Sequence, residues 1–301
     1  MRIKKRVAFV VPAGRLDDDL VDTLSSILHY SDRSRLIVVI DDISRSGASF
    51  PSLQYLSSDI VVLQSPAGPP ANGLGGLWAK TAFAYHWLLE RYEPGLVARM
   101  DTDALLIGDG LEAHAERTFA RDSRLGLLGA YRLGPDGGQR DFSWAAQQVR
   151  ATAGVRGLLH PRRRSAVRHY RQLARTHGYT DGEHALGGAY ILSAEAISAI
   201  DRKGWFTRPE LAHVMMGEDH ITSMLTVAAG YRIGDFSGPD DPMALKWVGL
   251  PCHPLDLLAR GKLVTHSVRS WADLSQAELR EIFATARQSG ETGRQLARSQ
   301  P

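Results

Sequence analysis

Asp101 and Asp103 stand one residue apart in "VARMDTDALLI", directly after a short apolar run. A buried carboxylate is costly unless something cationic meets it. On a continuing strand both side chains point to one face, because the strand period is two. At a strand end such a pair makes an oxygen-rich cup for a hard cation, Mg2+ or Mn2+. An ion of that kind commonly completes its shell with substrate phosphate oxygens. At an effective dielectric of 20, unit charges about 4 Å apart interact by about 4 kcal/mol, so a divalent ion matters greatly to a diphosphate leaving group. The alternative for the same stretch is a solvated turn with aspartate caps. A second pair, Asp41 and Asp42, closes another apolar run, "LIVVI".

The elements that must position these carboxylates alternate in the first half. Strands are predicted at 7–11, 36–40 and 60–63, and again at the run ending in Asp101. Between them, Leu20, Leu24, Ile27 and Leu28 share one helical face, and a helix over 77–92 carries Leu77, Thr81, Tyr85 and Leu88 along one stripe. Strands alternating with helices imply an α/β fold: a mostly parallel, Rossmann-like central sheet with helices on both faces. Ligands of such sheets collect beyond the carboxyl ends of the strands, where the four aspartates fall. The second half is less regular, with a strand predicted at 126–133, another strand or a buried segment at 186–193, a basic helix near "SAVRHYRQLARTH", and a helix after "GED" that Gly230 stops. Ser275 and Glu278 have capping-box spacing before a closing helix.

Composition narrows the class. The chain has 301 residues, 44% hydrophobic and 23% charged, which suits an ordinary globular protein. One cysteine, Cys252, excludes an internal disulfide and points to a reducing, cytoplasmic compartment. The net charge of +3 suits an anionic small substrate and does not call for nucleic acid. The opening "MRIKKRVAFVVPAG" imitates a signal peptide but reads as a first strand behind basic residues. No stretch approaches the roughly 18 apolar residues of a membrane-spanning helix.

Five blocks, in order, carry a resemblance. "FVVPAGRLDDDLVDTLSSIL", "VVIDDISRSG", "ARMDTDALLIGDGL", "LGGAYILSAEAISAIDRKGWF" and "GEDHITSMLTVAAGYRI" span residues 7 to about 236. Together they resemble the GT-A nucleotide-sugar glycosyltransferases, family 2 in particular. The resemblance implies a GT-A fold with a donor half over 1–106, an acceptor-binding and catalytic half over 107–272, and a C-terminal helix and tail over 273–301. It implies a nucleotide diphosphate sugar donor, UDP-sugar favoured, a hydroxyl acceptor, and Mn2+ or Mg2+. By position, Pro12, Ala13, Asp41, Asp42, Lys80, Asp101, Thr102 and Asp103 would bind the donor. Asp103, Asp101 and His266 would hold the metal. Gly187 and Gly188 would face the acceptor; Trp247 would join them on its own chemistry, as a ring that stacks on sugars, and not by the resemblance. Asp219 would be the base of an inverting enzyme, with Glu218 beside it.

The physics of Asp219 agrees with that role, since a carboxylate at a helix N-terminus stays ionised and can take the acceptor hydroxyl proton. Departures are Ile43, where the family usually has Gly, and "HSVRSW", which lacks the Q-x-x-R-W of processive membrane synthases; a non-processive enzyme fits better. Lys80, Arg99 and Arg269 are candidates to neutralise diphosphate, and Trp144, Trp205 and Trp247 to stack on sugars or to pack. Three other classes compete. A phosphatase or phosphotransferase with D-x-D wants Thr or Val where Leu105 stands. A nucleotidyltransferase wants a basic Gly-rich loop where "PAGRLDDDL" is acidic. A non-catalytic nucleotide-sugar binding protein would form no product.

Overall fold

The computed structural model describes residues 2–14, 18–41, 53–64, 75–154, 157 and 159–289. Its main strands are β1 (Ile3–Ala13), β2 (Arg35–Asp41), β3 (Ile60–Gln64), β4 (Tyr92–Met100), β5 (Leu105–Leu106), β6 (Leu125–Gly129), β7 (Ala189–Ser193), β8 (Arg232–Asp235), β9 (Met243–Leu245) and β10 (Val264–His266). Its helices are α1 (Asp18–Tyr30), α2 (Gly75–Arg91), α3 (Leu111–Arg121), α4 (Ser143–Ala153), α5 (Pro161–Thr176), α6 (Ala194–Arg202), α7 (Glu218–Ala228), α8 (Pro254–Ala259) and α9 (Gln276–Ser289).

Seven strands form the main sheet in the order β3-β2-β1-β4-β7-β6-β8. Among these seven, only β7 runs against its neighbours. This is a mixed α/β architecture with a mostly parallel central sheet, as the alternation of apolar runs predicts. Strand periodicity divides the core in two. Ala8 and Val10 of β1 with Val38 and Ile40 of β2 face α2, α6 and α7, through Trp78, Tyr85, Ile197 and Ile221. Val7, Phe9 and Val11 with Ile37 and Val39 face the other way, onto Leu20, Leu24 and Ile27 of α1 and Leu111 of α3. Both sheet faces are therefore covered, which is why these strands read as unbroken apolar runs.

Several boundaries move. β1 begins at Ile3, so the basic start lies inside the strand. The segment predicted as a strand over 126–133 is extended only to Gly129, and β7 starts at Ala189, two residues after Gly187. Trp205 is buried against Tyr170, with ring centroids 5.1 Å apart, so it packs the core. Cys252 is half-buried, and burial raises its thiol. The capping box forms: Ser275 Oγ donates to Glu278 Oε2 at 2.6 Å, and Ser275 N–H to the same oxygen at 2.8 Å.

Register places the site. β1 and β2 end level, with Ala13 opposite Asp41, and Val10 of β1 lies opposite Arg99 of β4. Because β7 is antiparallel to β4, its first residue, Ala189, meets Met100. Ala13, Asp41, Asp101 and the Gly187–Gly188 pair thus share one sheet edge. A second sheet, β5-β10-β9, sits beyond that edge and supplies His266.

Candidate active site

After Met100 the chain leaves the sheet. A turn follows, closed by Ala104 N–H on Asp101 O at 3.1 Å, so Asp101 and Asp103 do not continue the strand. The reason is competition for backbone partners. Asp101 N–H bonds Gly188 O at 2.9 Å, and Asp103 O accepts Val268 N–H at 2.9 Å. Thr102 O accepts from Thr23 Oγ1 at 2.8 Å and from Arg280 Nη2 at 2.7 Å. Arg280 is itself clamped to Asp22 at 2.7 Å and Asp19 at 3.0 Å. The Asp101–Asp103 loop is therefore tied to α1, α9, the Gly pair and the segment after β10.

His266 closes the first constellation. Its Nδ1–H donates to Lys246 O at 2.8 Å, because a carbonyl has no proton to give. That contact turns Nε2 toward the carboxylates, 3.2 Å from Asp103 Oδ1 and 3.9 Å from Asp101 Oδ2. One ligand atom from each of Asp101, Asp103 and His266 lies within 4.8 Å of the others. A ring anchored through its far nitrogen on a backbone carbonyl is the usual support of a metal-binding histidine, and two carboxylates with one imidazole suit Mn2+ or Mg2+. Asp103 Oδ2 meanwhile accepts from Arg269 Nε at 2.6 Å and Ser267 Oγ at 2.9 Å. Desolvation opposes the Asp103 charge, yet His266, Arg269 and Ser267 hold its carboxyl well below the usual range. Gly188 makes room for this ring: a Cβ there would lie 2.2 Å from His266 Nδ1.

The second constellation surrounds Asp219. Gly187 N–H donates to Asp219 Oδ2 at 3.1 Å, and His220 N–H to Oδ1 at 2.9 Å. A Cβ on Gly217 would lie 2.4 Å from Oδ1, so a larger residue there would push the Asp219 carboxylate out of this position. Burial raises Asp219, but His184, His220 and the backbone bond outweigh it and leave the carboxyl below its ordinary value. Glu218 goes the other way: desolvation raises it, against Arg99, Tyr190 and Thr222. Its Oε1 accepts from Tyr190 Oη and, at 2.7 Å, from Thr222 Oγ1. Neighbouring carboxyls driven apart in pKa have different tasks. Here Asp219 is the ionised group and Glu218 the buried tether.

Arg99 joins the two constellations. It is 1% exposed, so it is a structural hub and offers no surface to a diphosphate. Nη2 pairs with Asp101 Oδ1 at 2.8 Å, Nε faces Glu218 Oε2 at 3.5 Å, and Nη1 donates to Gly187 O. Burial works against its charge, but Asp101 and Glu218 raise it above the ordinary arginine value. Arg99→Met leaves two carboxylates without their cation and is expected to destabilise by about 3–5 kcal/mol. Urea denaturation checks this; a loss under about 1 kcal/mol would show that the carboxylates do not depend on Arg99.

His184, Asp219 and His220 form a second group within metal-ligand reach. Arg140 Nη2 lies 3.1 Å from His184 Nε2, so a guanidinium already occupies that lone pair, and the Asp101–Asp103–His266 group is the better cation site. Burial pushes the His184 imidazole down to about 4, with Asp219 pulling it up and His220 and Arg140 pressing it lower. A depressed histidine adds stability that is present above its unfolded pKa, about 6.5, and lost as pH falls toward 4. The wild type should therefore lose more stability between those values than His184→Gln; urea midpoints that move in parallel would contradict this.

Of the other residues that the sequence marks as candidates, Pro12 and Ala13 end β1 and Asp41 is buried at the end of β2. Asp42 lies outside the described residues. Lys80 is half-buried on α2, and Trp247 is exposed one residue past the Lys246 carbonyl that anchors His266. Arg99 as hub, Tyr190, Ser267 and His220 lie inside the quoted stretches but receive no such role from them, and His184 lies outside them. An arginine inside the apolar run "LVARM" is the available signal, since a cation on a strand covered on both faces must find carboxylates.

No family model matches the chain, and no curated protein matches it. Among solved structures it is similar to the mannosyltransferase PcManGT from Pyrobaculum calidifontis, in complex with GDP-Man and Mn2+. The two are 14% identical, with a TM-score of 0.44, over 85% of this chain and 61% of that one. The chain thus spans less than two thirds of that protein's length, and a likeness this distant carries nothing about residues or substrate. No helix among the described residues is long and apolar enough to cross a membrane.

Proposed function

We propose that the protein is a metal-dependent, inverting, non-processive glycosyltransferase that moves a sugar from a nucleotide diphosphate sugar to an acceptor hydroxyl. The observation that supports this most is the pairing of two different centres at one sheet edge: a carboxylate–imidazole group fit for a divalent cation, and an ionised, backbone-held Asp219, joined through Arg99. Asp101, Asp103 and His266 would hold Mn2+ or Mg2+, which when bound supplies charge neutralisation for the leaving diphosphate. Ala13 and Asp41, at the ends of β1 and β2, would contact the nucleotide, since ligands of such sheets collect beyond the strand ends.

Asp219 accepts the proton of the acceptor hydroxyl as that oxygen attacks the anomeric carbon from the side opposite the leaving group, which inverts the configuration. The Gly187 and His220 amides fix both carboxylate oxygens, so the base is aimed before substrate arrives. Glu218, held by Tyr190, Thr222 and Arg99, fixes the start of α7. UDP is the favoured nucleotide on the resemblance of the sequence blocks. The test is a donor screen: UDP-, GDP- and dTDP-sugars with Mn2+, following nucleotide release. Release from one donor that ceases on chelation supports the reading; none from any donor sinks it.

A further inference from the structure

The wall beside Asp219 is aromatic, and one of its rings faces solvent. Gly182 has a left-handed backbone, with φ 89°. A Cβ there would lie 2.3 Å from the Ala146 amide nitrogen and 2.8 Å from Phe142 O. The turn that carries His184 is thereby seated directly on the first turn of α4. That seating lines up four rings: Phe142 against His184 at 5.5 Å between centroids, His184 against His220 at 4.0 Å, and His220 against Trp144 at 6.1 Å. Asp219 meets the two inner rings, 3.8 Å from His184 Nε2 and 3.9 Å from His220 Nε2.

Both histidines are buried, and Trp144 is 55% exposed. Other large apolar side chains are exposed as well, among them Trp247, Tyr55, Leu159 and Val248. Trp144 differs from these in that its ring touches a residue that itself faces the proposed base. The exposed indole presents a flat apolar surface, and His220 behind it contacts Asp219. A ring open to water in this way is free to take a ligand's face.

We propose that Trp144 is the platform on which a pyranose ring of the acceptor stacks, so that the acceptor is a saccharide presenting its hydroxyl to Asp219. The inference rests on the glycosyl-transfer reading of Asp219 and adds the class of acceptor to it. A pyranose has a C–H face that suits an indole and a rim of hydroxyls that suits a neighbouring carboxylate. A base for inversion stands across the transferred sugar from the leaving diphosphate, so a ring on the Asp219 side meets the acceptor and not the nucleotide. The chain of contacts through His220 sets the spacing between platform and base.

The test uses a panel of methyl glycopyranosides, with glycerol and an N-acetylated serine amide as hydroxyl controls. The donor found in the screen and Mn2+ are present throughout. At least one glycopyranoside is expected to accelerate nucleotide release beyond both controls. Trp144→Ala is expected to raise the KM for that saccharide about tenfold or more, with a smaller change in kcat, and Trp144→Phe to restore most of the affinity. An unchanged KM in Trp144→Ala, or acceleration by the serine amide alone, overturns the proposal. A second readout needs no donor: the saccharide is titrated against tryptophan emission. A change in wild type that Trp144→Phe lacks supports the platform, and equal responses overturn it. Should no donor release nucleotide, the transfer reading fails, and this titration still decides the stacking. Melting transitions confirm that both variants are folded.

Discussion

Asp219→Asn is expected to keep metal- and nucleotide-dependent stabilisation and to lose about 10²–10⁴-fold in transfer, the range that general-base catalysis contributes. The substitution keeps the size of the side chain and removes the charge and the proton-accepting capacity of one oxygen. Its amide also turns a donor toward either Gly187 N–H or His220 N–H, which now sit 3.1 Å and 2.9 Å from the two oxygens. A buried donor facing a donor costs about 1–3 kcal/mol, so a modest fall in Tm accompanies the loss of activity. Two measurements separate the effects: the Tm shift produced by UDP with Mn2+, and single-turnover transfer. Turnover near wild type would remove Asp219 as the base. Because the Asp219 carboxyl lies below its ordinary value, wild-type transfer should hold its rate through neutral pH and decline only in the acid range.

Asp103→Ala is expected to abolish the part of the stabilisation that depends on metal. In wild type, a ligand at a hundredfold excess over its Kd adds about 2.7 kcal/mol, several degrees in Tm for a chain of this size. Asp103 is the carboxylate nearest His266 Nε2, at 3.2 Å, and is buried. Its removal also frees Arg269 and Ser267, so the metal-free protein is destabilised in its own right. The comparison that matters is the increment from Mn2+ in the presence of UDP. An equal increment in wild type and variant would place the cation elsewhere.

Much of the frame is legible in the sequence, because it depends on local pattern. The apolar runs at 36–40 and 60–63 and the stripes on α1 and α2 declare strands and helices with covered faces, and Gly230, with φ 100°, ends α7 where the pattern says. The D-x-D pair and the Glu218–Asp219 pair are legible as carboxylates at element ends. What joins them is not. Asp103 meets Ser267 and Arg269 across 164 and 166 residues, and no periodicity encodes such a contact. The turn at Asp101 is one of the two readings of its stretch, and what decides for it is backbone bonding to Gly188 and Val268, with no breaker in "RMDTDA" to announce it. Gly187 and Gly188 read as an acceptor block. Their geometry is more specific: one donates its N–H to Asp219 and the other leaves space for the His266 ring. The row of rings from Phe142 to Trp144 arises from a close approach at Gly182 that no local rule announces.

Anomalous diffraction at the manganese edge, from crystals grown with UDP and Mn2+, locates the cation without any assumption about donor or acceptor. One strong peak is expected between Asp101 Oδ2, Asp103 Oδ1 and His266 Nε2, with the His184–Asp219–His220 group free of metal. A peak at that second group, or none at the first, would contradict the division between a cation-binding centre and a base on which the proposed mechanism stands.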